Sequence, residues 1–199
     1  MSKVTCDLAI SLDGFVAGPN QSLAEPFGEG VGERLHRWMF DEPDANAAAL
    51  AAIAAPSAYV MGRNMFGPGR GAWELEWKGW WGEEPPYQAP VFVLTHHARE
   101  PLGMQGGTVF TFVTDGIESA LEQARQAAGS GDVAIAGGAA TARQYLSAGQ
   151  INELRLHLVP VVLGAGERLL EGVGRDLGFE PLEVSGNHLV THLTYRVTT

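Results

Sequence analysis

The sequence predicts a single α/β domain, residues 1–199, built on a mostly parallel sheet with an antiparallel C-terminal edge. Three observations carry that prediction. Residues 133–136, Val-Ala-Ile-Ala, form a short apolar run without polar alternation, as a strand covered on both faces requires. Up to residue 146 such runs alternate with helical stretches, which is the order of parallel βαβ units. At the end, two extended runs at 177–184 and 188–197 flank Ser185-Gly186-Asn187, a hairpin signal. No linker, repeat or low-complexity segment divides the chain.

Taken in order, residues 3–11 read as a first strand, and 12–19 follow as a turn with two glycines and a proline. Asp13 sits in that turn, either capping it through its side chain or serving chemistry at the strand's end. Leu35, Trp38 and Met39 at helical spacing predict a helix over 32–40, and the alanine-rich 45–55 predicts a second that Pro56 ends. A buried strand at 58–61 leads into Gly62 and Arg63. Residues 67–90 form the longest expected loop, with Trp73, Trp77, Trp80 and Trp81, read either as an aromatic flap over a ligand or as a surface loop or dimer contact. Strands at 91–95 and 107–113 come next, then a helix at 116–128 with Ile117, Leu121 and Ala124 on one face. Strand, glycine turn and helix fill 132–146, and a long strand is expected over 153–163.

Composition narrows the function. With 13 basic against 23 acidic residues, a net charge of -10 and no basic stripe argue against a nucleic-acid surface. The single cysteine, Cys6, lies in an apolar strand and reads as an inert core residue compatible with the cytoplasm. No charged leader precedes a long apolar segment, and no apolar run approaches the roughly 18 residues of a membrane span. A soluble, unexported protein is therefore expected. Metal binding finds little support: His188 and His192 on one extended strand would stand roughly 13 Å apart. Gly164-Ala165-Gly166 is no dinucleotide fingerprint, because Leu169 occupies the third glycine's place.

What remains is the set of turns that end the inferred strands: Gly62-Arg63-Asn64, Thr95-His96-His97 and Gly137-Gly138. In an open parallel sheet ligands lie beyond the carboxyl ends of the strands, so these turns are placed to line one crevice. A helix that starts at Gly138 presents the unpaired amides of Gly138, Ala139, Ala140 and Thr141 at its positive end, a phosphate cradle. Arg63 offers a fork of donors to an anion, while Thr95 and His96 add a hydroxyl and an imidazole. Taken singly, each turn has a plain alternative: glycines for packing, Arg63 in a surface ion pair, His96 at a solvated strand end.

Taken together, Ile10-Ser11-Leu12-Asp13-Gly14-Phe15-Val16-Ala17, Val60-Met61-Gly62-Arg63-Asn64-Met65-Phe66 and Ala136-Gly137-Gly138-Ala139 resemble the dihydrofolate-reductase-like superfamily. The nearest resemblance is to the C-terminal reductase domain of bifunctional riboflavin-biosynthesis deaminase-reductases, here in a stand-alone form. The resemblance implies a three-layer fold with helices on both faces of a mixed sheet. It also implies NADPH as cofactor, a small heterocyclic substrate as hydride acceptor, and a homodimer. The activity it suggests is similar to 5-amino-6-(5-phosphoribosylamino)uracil reductase. The alternatives are dihydrofolate reduction or a non-catalytic NADPH-binding module. By position, Gly62, Arg63 and Asn64 with Thr95 and His96 meet the cofactor's phosphates, the arginine and the Thr-His turn favouring the 2′-phosphate. Gly137, Gly138, Ala139 and Ala140, with the Thr141 hydroxyl, hold the pyrophosphate. Asp13 matches an acid near the nicotinamide, and Glu33 is the candidate second acid in the proton path. Arg34, Arg37, Arg70 and Lys78 are the basic residues expected near the mouth.

Overall fold

The computed structural model describes residues 2–74 and 76–198; of the expected domain span, residues 1 and 199, and Leu75 within the 67–90 loop, lie outside the described residues. In chain order the elements are β1 (Val4–Ser11), β2 (Phe15–Ala17), α1 (Arg37–Asp41), α2 (Ala47–Ala54), β3 (Ala58–Gly62), α3 (Arg63–Phe66), β4 (Pro90–Leu94), β5 (Leu102–Gly103), β6 (Val109–Val113), α4 (Gly116–Ala128), β7 (Val133–Gly137), α5 (Ala139–Ser147), β8 (Glu153–Val159), β9 (Glu167–Arg168), β10 (Gly178–Gly186) and β11 (Thr191–Thr198). Nine strands form one sheet in the order β10-β11-β8-β1-β7-β3-β4-β6-β5, and β2 pairs with β9 beside it. The run from β8 to β6 is parallel throughout. The β10-β11 hairpin closes one edge antiparallel, as expected, and the two-residue β5 closes the other.

Alternation along the strands sorts two faces. Val4, Cys6, Leu8 and Ile10 of β1 and Ala58 and Val60 of β3 pack with Ala120, Leu121 and Ala124 of α4 and Ala142, Tyr145 and Leu146 of α5. The alternate residues, Tyr59 and Met61, face the other way with Val91, Val93, Phe110 and Phe112. Here the cover is aromatic loop: Trp73, Trp77, Trp81 and Tyr87 lie against that cluster, and Trp81 stacks on Phe110 with ring centroids 6.0 Å apart. Trp77 donates its indole N–H to the Phe66 carbonyl at 3.0 Å. The 67–90 segment therefore serves as a layer of the fold, where the sequence left open a flap or a dimer contact. Farther along the same face, Leu35 and Trp38 with Leu50 and Ile53 cover β8 and β1.

Several boundaries move for local reasons. The helix expected over 32–40 shrinks to α1, because Gly28, Gly30 and Gly32 all take positive φ and hold the preceding chain in turns. Part of the 12–19 turn becomes β2. The long strand expected to 163 ends at Val159, ahead of Pro160, which has no N–H to give. In the hairpin, Asn187 Oδ1 accepts from the amides of Leu189 and Val190 at 2.8 and 3.2 Å, an Asx-type turn that places His188 outside either strand.

One polar island lies in the α1-α2 layer. His157 Nδ1 and His192 Nδ1 are 2.8 Å apart, and His192 Nε2 is 2.9 Å from Asn46 Oδ1. Asn46 Nδ2 donates to the carbonyls of Trp38 and Glu42, so its oxygen is the acceptor and His192 Nε2 carries the proton. His157 must then donate from Nδ1, leaving Nε2 bare toward Asp7 Oδ1 at 3.9 Å. Arg155 Nη1 stands 3.6 Å from Asp7 Oδ2. Burial pushes the Asp7 carboxyl up to about 6 and pulls His157 down to about 3, the latter helped by His192, Arg155 and His36.

Candidate active site

The order β8-β1-β7-β3-β4 places five parallel carboxyl ends side by side. The three turns singled out in the sequence stand at consecutive strands: Gly137-Gly138 after β7, Arg63-Asn64 after Gly62 of β3, and Thr95-His96-His97 after β4. Asp13 follows β1, which neighbours β7. One edge of the sheet thus gathers every group the sequence assigned except Glu33, which is exposed in the turns ahead of α1.

At the centre, β7 passes into α5 through Gly137, whose φ of +114° suits glycine, and the Gly137–Gly138 peptide is cis. Gly138 caps α5 with extended φ and ψ, and the first intrahelical bond runs from the Ala142 amide to the Gly138 carbonyl at 3.0 Å. The amides of Ala139, Ala140 and Thr141 have no partner within the helix and sit at its positive end. A Cβ on Gly138 would meet nothing within 4 Å, so the space above the turn is open, as a pyrophosphate requires. Ala139 is buried and Ala140 exposed. The Thr141 hydroxyl is directed into the fold: a Cβ on Gly62 would come within 2.3 Å of Thr141 Oγ1. That hydroxyl fills the place of the missing Gly62 side chain and locks α5 to β3.

Beside it, Arg63 is half-buried and Asn64 exposed. The Arg63 guanidinium lies 3.7 Å from the centre of the Trp73 ring, and its one hydrogen bond among the described residues goes from Nη2 to the Ala72 carbonyl at 3.4 Å. Nε and Nη1 are buried without a partner. Burial, then the nearby charges of Arg70 and Arg99, lower its pKa. The Thr95 hydroxyl belongs to its own turn, accepting from the His97 amide at 3.1 Å and donating to the His97 carbonyl at 3.3 Å. His96 is exposed next to it. These groups suit a phosphate: helix amides without intrahelical partners, open space over Gly138, and a guanidinium with two nitrogens unpartnered among the described residues.

Asp13 is tied into the end of the sheet by three donors. Its Oδ1 accepts from Ser11 Oγ at 2.7 Å and the Leu163 amide at 3.1 Å, and its Oδ2 from the Gly164 amide at 2.7 Å. The Ser11 hydroxyl first, then the two amides, hold this carboxyl down at about 2. It is ionised at neutral pH. What it does is clamp the chain after β8 onto the end of β1. Arg168 stacks over Phe15 at 4.3 Å and donates from Nη1 to the Asp13 carbonyl at 3.0 Å, while Arg143 donates to the Arg168 carbonyl. Of the basic residues expected at the mouth, Arg70 is beside Arg63, whereas Arg37 is paired with Asp41 and Lys78 with Glu83. Arg99, Arg143 and Arg168 were missed, since their approach to the crevice depends on tertiary contacts that no local spacing announces.

The comparisons with known proteins agree with this geometry. A family model described as the RibD C-terminal domain matches residues 2–191. No curated protein matches the chain. Among solved structures, a protein assigned to riboflavin biosynthesis from Shewanella sp. PV-4 superposes with a TM-score of 0.70 at 23% identity, over 99% of each chain. RibD of Acinetobacter baumannii superposes with a TM-score of 0.62 at 16% identity, over 100% of this chain and 59% of that one. Dihydrofolate reductase from Enterococcus faecalis, complexed with NADP(H), gives 0.57 at 16% identity, over 99% and 97%. At these identities the likeness carries the fold, which is the dihydrofolate-reductase-like one.

Proposed function

Since the chain belongs to the RibD C-terminal domain family, we propose that it is an NADPH-dependent reductase that passes a hydride to a small heterocyclic substrate, similar in kind to 5-amino-6-(5-phosphoribosylamino)uracil reductase. The observation that carries this reading is the adjacency of the three strand-end turns on β7, β3 and β4. Three unpaired helix amides, open space over Gly138 and an arginine with two unpartnered nitrogens fit a dinucleotide. Gly137, Gly138, Ala139 and Ala140 would hold the pyrophosphate, with Thr141 supporting them through its lock on Gly62. Arg63, flanked by Asn64, and the Thr95-His96 turn would hold the 2′-phosphate. When bound, NADPH supplies the hydride.

The chain's own residues then orient and exclude water. Asp13 fixes the 163–164 segment over the end of β1 and so shapes the substrate side of the crevice. Glu33, exposed in the turns ahead of α1, is the second acid of this reading. We also assign the chain to the cytoplasm and to a homodimer. Support for the dimer is an apolar row running inward from the β10 edge, exposed Val184 with half-buried Leu193 and Leu156, beside exposed Leu182. Among the described residues no helix is long and apolar enough to cross a membrane.

The test of the reaction is NADPH oxidation, followed by absorbance, with a panel of reducible pyrimidines, pterins and their ribosyl derivatives. Substrate-dependent oxidation by the purified protein is the expected result; bound NADPH that no heterocycle oxidises would leave a binding module.

A further inference from the structure

Arg63 is held in an unusual way. A guanidinium kept in place by an ion pair spends its N–H edge on that pair, whereas one stacked on an aromatic ring is held by its flat face. Arg63 is of the second kind: its Cζ lies 3.7 Å over Trp73, and among the described residues neither Arg63 nor Arg70 forms an ion pair. Two of its three nitrogens have no partner.

Trp73 is itself pinned. Its indole N–H donates to the His97 carbonyl at 2.7 Å, which ties the 67–90 loop to the turn after β4. Its ring packs edge-on against Phe66 and Phe112 at 5.7 and 4.8 Å. The same ring has Arg99 Cζ at 5.3 Å, and Arg70, anchored by the Gly67 and Pro68 carbonyls, adds a third positive charge. In a chain of net charge -10, two arginines flank one indole and the charge of Arg70 acts on the first of them, a local positive field at Arg63 that a dianion would relieve.

We propose that Trp73 is a positioning residue for a phosphomonoester site: it holds Arg63 by its face so that the arginine's donors stay uncommitted, with Arg70 and Arg99 supplying the remaining charge. The inference rests on the reductase reading for the identity of the phosphate, the 2′-phosphate of the cofactor, and not for the anion site itself. It makes the loop covering the sheet a determinant of cofactor choice.

The experiment compares wild type with Trp73→Phe, which keeps an aromatic face, and Trp73→Leu, which keeps apolar bulk without one. Each is titrated calorimetrically with NADPH, NADH, adenosine 2′,5′-bisphosphate and AMP. Trp73→Phe is expected to keep the preference for the 2′-phosphorylated ligands. Trp73→Leu is expected to weaken them about tenfold while leaving NADH and AMP unchanged, so that unaltered NADH binding certifies the fold. Equal weakening of NADPH and NADH, or no change in either, overturns the inference and leaves the reductase reading standing. Selective, Trp73-dependent binding of the bisphosphate by a protein that binds no NADPH keeps the anion site and removes the reductase. Absence of any preference for the 2′-phosphate in wild type overturns the proposal outright.

Discussion

At Asp13 three donors converge on one carboxylate, and they come from opposite ends of the chain. Ser11 is two residues away, but the amides of Leu163 and Gly164 are about 150 residues distant in sequence. Its place in the turn was legible from the sequence; its distant partners were not. An asparagine there would offer one oxygen to these donors and turn an N–H toward the other, opening the clamp without altering the cofactor's cradle. We predict that Asp13→Asn lowers kcat/KM roughly 10- to 100-fold with NADPH affinity unchanged. Steady-state kinetics beside a binding titration checks this, and unaltered turnover would return Asp13 to a local turn cap. Arg63 shows the converse: its place after a buried strand was legible, while its stacking on Trp73 was not.

Among the elements, the strands that local patterning marks most strongly, β1, β3, β4 and β7, fall where expected, and α4 spans residues 116–128 as its apolar face required. The misses occur where glycine or proline decides the backbone, ahead of α1 and after β8, or where pairing is purely tertiary, as in β2, β5 and β9. The β8-β11 pair carries a property no periodicity reveals, its buried histidines. Burial holds His36 at about 4 and His157 at about 3, both below the ordinary 6.5, and burial lowers His192 as well. A group whose folded pKa is depressed in this way contributes stability that is whole above pH 6.5 and lost as pH falls toward the folded value. Asp7 acts in the opposite sense, losing its contribution as pH rises from 3.8 to about 6. With three histidines against one carboxyl, the melting temperature is predicted to fall from pH 7 to pH 5, about 2–4 °C for each kcal/mol lost. Thermal unfolding followed by circular dichroism across that range measures it, and a flat or rising profile on acidification contradicts the burial of neutral histidines.

For the whole molecule, the class of fold and the gathering of the three turns at one edge of the sheet were both legible. Alternating elements specify a parallel sheet, and a parallel sheet places all its carboxyl ends together. The strand order was not, since no local signal says that β7 inserts between β1 and β3; that insertion is what makes the three turns neighbours. Nor was the aromatic layer, because tryptophans in a loop do not announce which surface they cover. The apolar row of exposed Val184 and half-buried Leu193 and Leu156 on β10, β11 and β8 makes a homodimer the expected assembly in solution. Light scattering should give about twice the chain's 21.2 kDa, and Val184→Lys, which adds charge to that row, should shift the mass toward the monomer. A monomeric wild type would remove the dimer and leave the crevice intact. If the crevice binds NADPH through Arg63, a titration of the protein and of Arg63→Ala with NADPH and NADH reads it most directly. The predicted result is tighter binding of NADPH than NADH by wild type, with Arg63→Ala erasing that preference; binding of neither nucleotide, or a preference that survives the substitution, would contradict it.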